Sequence, residues 1–137
     1  GIPTLLNPSP MRPIDPAILA DTAILVVNAV EAADLGLGTP DAIADATEAT
    51  PGIAALLSGG LGLLIVTLGE RGAVAFRPGL SPLRQPAFAV AAVDTVGAGD
   101  AFTAGLIAGL LAGEPLDARL RQGAAWRALT TRPVGAA

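Results

Sequence analysis

A glycine-rich turn that leads directly into an apolar stretch is the part of this sequence best suited to chemistry. Residues 94–105 read DTVGAGDAFTAG, with Gly97 and Gly99 in the turn and Asp100 beside them. Such a turn at the start of a helix directs backbone N–H groups and the positive end of the helix dipole at one spot, which suits an anion. An aspartate at that spot can accept a proton from a hydroxyl that attacks a phosphoryl group. The alternative is that Asp94 and Asp100 only cap the helix.

The absence of histidine and cysteine limits which other groups can do chemistry. Without histidine there is no imidazole base and no Ser/His or Cys/His triad, and without cysteine there is no disulfide or thiolate metal site. Acid and base chemistry must therefore fall to carboxylates. The net charge of -4 and the scattered arginines argue against a nucleic-acid surface. No apolar run approaches the ~20 residues that span a bilayer.

The elements that position these residues follow from the apolar pattern of the chain. The predicted strands are 2–6, 23–27, 63–67, 73–76 and 87–93, and the predicted helices are 16–21, 30–35, 41–47, 53–57, 102–111 and 116–129. Asp41 is expected to cap its helix, and the proline-rich residues 77–86 are expected to form the turn of an edge hairpin. This alternation predicts an α/β fold with a doubly wound, mostly parallel sheet and helices on both faces. Ligands of such sheets bind beyond the carboxyl ends of the strands.

Several segments together resemble one family. Residues 92–105 are similar to the second signature of the ribokinase-like, or phosphofructokinase-B-type, carbohydrate kinases. Residues 5–13 resemble the strand and Asn-Pro loop of that family, and residues 27–31 match its Asn-x-x-Glu motif. Residues 64–73 are similar to its strand and Thr-x-Gly turn. The resemblance covers nearly the whole chain and implies ATP-dependent phosphorylation of a primary hydroxyl, on a sugar or else on a nucleoside or another small alcohol.

The resemblance also assigns catalytic roles around the glycine turn. It implies that Asp100 deprotonates the acceptor hydroxyl. The backbone N–H groups of Gly97, Ala98 and Gly99 would stabilise the charge that grows on the transferred phosphoryl group.

Two cation sites are implied by the same resemblance. Asn28 and Glu31 would help to position Mg²⁺ and the phosphates of the nucleotide, the carboxylate acting through coordinated water. Glu31 alone could simply be an exposed residue in the first turn of a helix. Asp94 and the carbonyl of Val96 resemble part of a monovalent-cation site. The other half falls near residues 131–137, where the sequence departs from the family pattern, so activation by K⁺ is left open.

The remaining family positions concern the nucleotide. Thr67 and Gly69 would lie beside it, and the alternative is an ordinary strand end. Asn7 could contact the phosphates, yet Asn-Pro also opens turns. Gln122 stands where the family keeps a polar residue near adenine. Trp126 falls in a stretch that is usually small and apolar. The simplest interpretation makes it a core residue, and the alternative is a ring that stacks near the nucleotide.

The resemblance implies that an earlier part of the family domain is missing. Family members are longer, and the part before the Asn-Pro strand supplies their sugar contacts, a lid and several strands. We therefore expect residues 1–137 to be a single partial domain, truncated at the N-terminus. The expected partner is a small-molecule sugar or nucleoside, and we expect neither a nucleic acid nor a membrane as a partner. The protein is expected in the cytoplasm, and a homo-oligomer is an open alternative. A nucleotide-binding module without turnover is the alternative function.

Overall fold

The structure, a computed structural model, describes residues 5–6, 23–87 and 98–130. In chain order the elements are β1 (Leu5–Leu6), β2 (Ile24–Asn28), α1 (Ala29–Asp34), α2 (Pro40–Ala44), α3 (Pro51–Ser58), β3 (Leu63–Thr67), a 3₁₀ turn (Gly69–Arg71), β4 (Ala73–Phe76), β5 (Leu83–Gln85), α4 (Ala98–Leu111) and α5 (Leu116–Thr130). The chain divides into two compact units. Unit 1 comprises residues 1–68 and 74–84, and unit 2 comprises residues 69–73 and 85–137.

The sheet has five strands in the order β1-β2-β3-β4-β5. β1 pairs with β2, and β2 with β3, in parallel, with Ile24 opposite Leu63 and Asn28 opposite Thr67. Residues 68–72 join β3 to β4 and are too short for the crossover of a dozen or more residues that a parallel connection needs. β4 therefore runs antiparallel to β3. The α/β class and the parallel centre of the sheet agree with the prediction.

The core of unit 1 forms because its central strands are apolar along their whole length. In β3 every residue from Leu63 to Val66 is buried, and β4 is buried from Ala73 to Phe76. A strand that is buried on both alternating faces needs no polar residue until it ends. The predicted bounds of both strands are confirmed to the residue.

Threonines cap two of the short helices of unit 1, α2 and α3. Thr39 caps α2, its Oγ1 accepting from the Ala42 N–H at 3.2 Å. The prediction that Asp41 is the cap was wrong, because Pro40 takes the first helical position and leaves the cap to the residue before it. This helix ends at Ala44 instead of residue 47.

The cap of α3 also makes a contact outside its own helix. The Oγ1 of Thr50 accepts from the Ile53 N–H at 3.2 Å and donates to the Leu37 carbonyl at 2.6 Å. The hydroxyl therefore forms hydrogen bonds both to the helix and to the preceding loop.

The predicted edge hairpin is shifted along the chain. β5 (Leu83–Gln85) lies within residues 77–86, which were predicted to form only the turn. Pro82 and Pro86 flank this short edge strand without interrupting it, so they remove no hydrogen bond from its interior. Most of the predicted strand 87–93, the first part of strand 2–6 and the predicted helix 16–21 lie outside the described residues.

Unit 2 is built on two helices that approach each other at glycines. A Cβ atom added at Gly105 of α4 would lie 2.7 Å from the carbonyl oxygen of Gln122, and one at Gly123 would lie 2.9 Å from that of Phe102. A Cβ at Gly109 would lie 3.0 Å from Cγ of Arg119. These glycines therefore permit close approach of α4 and α5.

None of the helices in the described residues is both long enough and apolar enough to cross a bilayer.

Candidate functional site

The end of β2 in unit 1 carries a pair of polar residues joined by reciprocal hydrogen bonds. Asn28 ends the strand and caps α1, where its Oδ1 accepts from the Glu31 N–H at 2.8 Å. In return, Oε1 of Glu31 accepts from the Asn28 N–H, also at 2.8 Å. This arrangement is a capping box, and the Asn-x-x-Glu spacing in the sequence is its signature.

The capping box changes the environment expected for Glu31. Its side chain is only 5% exposed, so the alternative of a freely exposed first-turn residue is wrong. The carboxylate turns back onto the backbone of Asn28 and does not extend into solvent. A carboxylate held in one orientation can serve a second partner without losing further rotamer freedom.

Thr67 brings a hydroxyl to the neighbouring strand end. It ends β3, is the register partner of Asn28, and its Oγ1 donates weakly to the Val27 carbonyl at 3.4 Å. Because β2 and β3 are parallel, their polar ends share one edge of the sheet. That edge is where open α/β sheets bind ligands.

The residues at these strand ends, Asn28, Glu31 and Thr67, suit Mg²⁺ that is bound through its coordinated waters. The capping box uses one carboxylate oxygen of Glu31 and leaves the other outside the box. Among the side chains that the structure describes, no three acidic ones cluster as a metal cage would require. Mg²⁺ commonly keeps its waters and takes one or two carboxylates together with phosphate oxygens. One fixed carboxylate suits such a water-mediated role.

In unit 2, the turn at Gly69 exposes its backbone. Gly69 has a φ of 61°, in the left-handed region, and its carbonyl accepts from the Gly72 N–H at 3.1 Å. A Cβ placed at Gly69 would have only the Arg127 Nη2 near it, at 4.0 Å. A ligand can therefore approach this backbone closely, and a side chain here would be strained by the positive φ.

The positive end of the α4 dipole lies in unit 2. Ala98, Gly99 and Asp100 are the first residues of this 14-residue helix. The N–H groups of a first helical turn have no partner within the helix, and the helix dipole makes that end positive. Asp100 thus lies within the first turn. Gly97, Asp94, Val96 and Asn7 lie outside the described residues.

On α5, the structure describes both Gln122 and Trp126. Gln122 is half-buried, and its carbonyl lies against Gly105. Trp126 is 39% exposed, so its interpretation as a core residue was wrong. The buried stripe of this helix consists of Leu120, Ala124 and Ala128, which are four residues apart. Trp126 lies about 200° around the helix from Ala124.

Polar residues at the ends of parallel strands, and an acidic residue in the first turn of an apolar helix, are features of a nucleotide-binding α/β protein. The chain belongs to the pfkB family of carbohydrate kinases, whose family model matches residues 1–137. Ribokinase from Haemophilus influenzae is 31% identical over 136 residues, which cover 99% of this chain and 43% of that protein. Fructoselysine 6-kinase from Escherichia coli is 43% identical over 82 residues, 60% of this chain and 31% of that protein.

Solved structures agree with this assignment. Arabidopsis thaliana ribokinase in complex with ribose and ATP matches with a TM-score of 0.84 and 30% identity, over 98% of this chain and 43% of that one. An Escherichia coli protein described as a ribokinase II, in complex with ATP and Mg²⁺, matches with a TM-score of 0.70 and 26% identity, over 88% and 36% of the two chains. The ribokinase-like fold is confirmed, and the chain spans less than half the length of these proteins.

Proposed function

We propose that the protein containing this chain transfers the γ-phosphoryl group of ATP to a primary hydroxyl of a sugar or a related small molecule. The observation that carries the proposal is the position of Asp100 in the first turn of α4, in a chain of the pfkB family. ATP and ribose in the Arabidopsis relative support the donor and the acceptor class. The chain would contribute the nucleotide-binding and catalytic part, as a single partial domain.

The proposed reaction needs a base and an anion site. The acceptor oxygen forms a bond to the γ-phosphorus, the bond to the bridging oxygen breaks, and ADP leaves. The proton of the acceptor hydroxyl moves to the Asp100 carboxylate. The amides of Gly97, Ala98 and Gly99 stabilise the negative charge on the transferred group, with the dipole of α4 adding to their effect.

Mg²⁺ is the proposed metal cofactor, and it would neutralise charge on the phosphate oxygens. Glu31 would accept hydrogen bonds from waters bound to the metal, and its capping bond to Asn28 keeps the carboxylate in place. The Mg²⁺ in the Escherichia coli relative supports this cofactor. A monovalent cation such as K⁺ would bind at Asp94 and the carbonyl of Val96.

The remaining nucleotide contacts are proposed for individual residues by their family positions. The Thr67 hydroxyl and the open backbone of Gly69 would contact the phosphates and ribose, with Asn7 on the phosphates. Gln122 would contact the adenine. The positive φ of Gly69 and the absence of a side chain support its part in this contact.

Nucleotide binding without turnover is the second candidate. It is favoured by Trp126, an exposed aromatic residue where the family has small ones, since a ring near the nucleotide can stack on a base. Phosphorylation of a nucleoside or another small alcohol would be a variant of the first candidate. A cytoplasmic location and a homo-oligomer remain predictions.

A single assay separates the two candidates. The purified protein is mixed with Mg²⁺ and ATP, and ADP release is followed with each member of a panel of pentoses, hexoses and nucleosides. We expect ADP release to depend on one class of acceptor. If ATP binds but no acceptor raises ADP release above the acceptor-free rate, the kinase proposal fails and the binding module remains.

A further inference from the structure

Arg127, in the last turn of α5, lies at the end of unit 2 where α4 begins. Gly109, late in α4, lies against Arg119, early in α5. Phe102, early in α4, lies against Gly123, late in α5. The two helices therefore run in opposite directions. Arg127 follows Gly123 by about one helical turn, so it lies level with the first turn of α4, about one turn before Phe102.

The guanidinium of Arg127 also reaches the turn at Gly69. Its Nη2 lies 4.0 Å from the position that a Cβ atom of Gly69 would take, and the side chain is half-buried. The turn itself is held closely, because a Cβ atom at Gly72 would overlap the carbonyl oxygen of Gln85. The Gly69 turn, Arg127 and the first turn of α4 therefore share one end of unit 2.

Arg127 adds a positive charge that the turn lacks by itself. Glu70 and Arg71 of the turn carry opposite charges, so together they contribute no net charge. The carboxyl end of α5 bears partial negative charge, which would disfavour a phosphate group, and Arg127 is the basic residue in that last turn. A guanidinium has five N–H donors and no acceptor, so one contact within the protein still leaves donors for phosphate oxygens.

We propose that Arg127 binds a phosphate group of the nucleotide that remains in ADP. The inference rests on the proposed kinase function, in which the transferred γ-phosphoryl group lies at the start of α4 and the Gly69 backbone contacts the phosphates and ribose. The guanidinium beside Gly69 would donate a charge-assisted hydrogen bond to the α- or β-phosphate. This contact is the same before and after transfer, so it strengthens the binding of ATP and ADP without altering the chemical step.

Calorimetric titration of the purified protein with ADP and with adenosine tests the phosphate contact. Arg127→Gln should weaken ADP binding by about 10- to 100-fold, the effect of losing a charged hydrogen bond. Adenosine has no phosphate, so its binding should not change. Arg127→Lys keeps the charge but not the planar fork and should lose less affinity than Arg127→Gln. The inference is overturned if the unmodified protein binds no ADP, if Arg127→Gln binds ADP normally, or if adenosine binding weakens by the same factor.

Steady-state kinetics separates binding from catalysis. In Arg127→Gln the KM for ATP should rise by a factor similar to the loss of ADP affinity, while kcat changes little. A fall in kcat at unchanged KM would place Arg127 at the transferred group and contradict the inference. Arg121→Gln removes the same charge from an exposed position on α5 and should change neither constant. In a thermal melt, a residue that serves only the helix end would lower the melting temperature without changing ADP affinity.

This inference and the kinase proposal can fail separately. If ADP binding depends on Arg127 but no acceptor raises ADP release, the kinase proposal fails and the Arg127 contact stands. If acceptor-dependent turnover is normal and Arg127→Gln changes neither ADP affinity nor the KM for ATP, the kinase proposal stands and the Arg127 contact fails.

Discussion

The two units present their candidate chemistry by different physical means. In unit 1, Asn28, Glu31 and Thr67 are polar side chains whose directions are fixed by hydrogen bonds. In unit 2, the start of α4 offers backbone N–H groups. The helices α4 and α5 pack closely at Gly105 and Gly123, which have no side chains. A substitution in unit 1 therefore removes a chemical group, whereas one at a unit 2 glycine adds atoms where there is no space. The predictions below test this distinction.

The largest effect is expected at the proposed base in unit 2. Asp100→Asn should lower kcat by about 10²- to 10⁴-fold while largely preserving ATP affinity, because an amide cannot accept the proton. Steady-state kinetics and nucleotide titration measure the two effects. Asp117→Asn, in the first turn of α5 and exposed, is the matched control and should retain normal activity. A near-normal kcat for Asp100→Asn would exclude this residue as the base.

Substitutions of Glu31 can separate its metal role from its capping role. Glutamine also closes a capping box, so Glu31→Gln should keep the stability of α1 yet reduce Mg²⁺-dependent turnover by about 10- to 100-fold. Glu31→Ala should lose the same activity and also about 1 kcal/mol of unfolding free energy. Turnover is measured against Mg²⁺ concentration, and stability by urea unfolding. Equal Mg²⁺ dependence in Glu31→Gln and the unmodified protein would leave Glu31 as a capping residue only.

A methyl group at the helix crossing in unit 2 tests the role of the missing side chains. In Gly105→Ala the new Cβ would lie 2.7 Å from the Gln122 carbonyl oxygen. This overpacking should outweigh the gain in helix propensity and lower the unfolding free energy by about 1–3 kcal/mol.

The control for this substitution lies in unit 1. Gly59 has a φ of -77°, and a Cβ there comes no closer than 3.4 Å to another atom. Gly59→Ala should therefore change the unfolding free energy by less than about 0.5 kcal/mol. If both variants unfold at the same urea concentration, the α4–α5 crossing does not depend on glycine.

The smallest effect is expected at Thr67. Its hydroxyl makes only a 3.4 Å bond to the Val27 carbonyl, so Thr67→Val should hardly alter stability. If the hydroxyl contacts the nucleotide, the KM for ATP should rise by about 2- to 10-fold in Thr67→Val and stay normal in Thr67→Ser. An unchanged KM in Thr67→Val would mean that the residue only ends its strand.

Features encoded by neighbouring residues could be predicted from the sequence. The bounds of β3 and β4 were correct because each is a continuous apolar run that ends at a polar or glycine residue. The Asn28 and Glu31 pair was also readable, since a capping box depends only on a three-residue spacing. The burial of Glu31 was missed because the metal interpretation and the exposed interpretation were weighed, and the capping box was not.

Features that depend on distant residues could not be predicted in this way. β5 was taken as part of a turn because its flanking prolines outweighed three residues of weak strand preference, and its place at the sheet edge comes from tertiary pairing. Trp126 was assigned to the core because only its size was considered, and not its position relative to the buried stripe of α5.

The double contact of Thr50 makes two segments open together. Its hydroxyl accepts from the Ile53 amide and donates to the Leu37 carbonyl, 13 residues earlier in the chain. The first turn of α3 therefore cannot fray without releasing the loop at Leu37. In amide hydrogen exchange, the N–H of Ile53 and that of Leu37, which bonds to the Ala32 carbonyl at 2.9 Å, should share one opening event and exchange with similar protection.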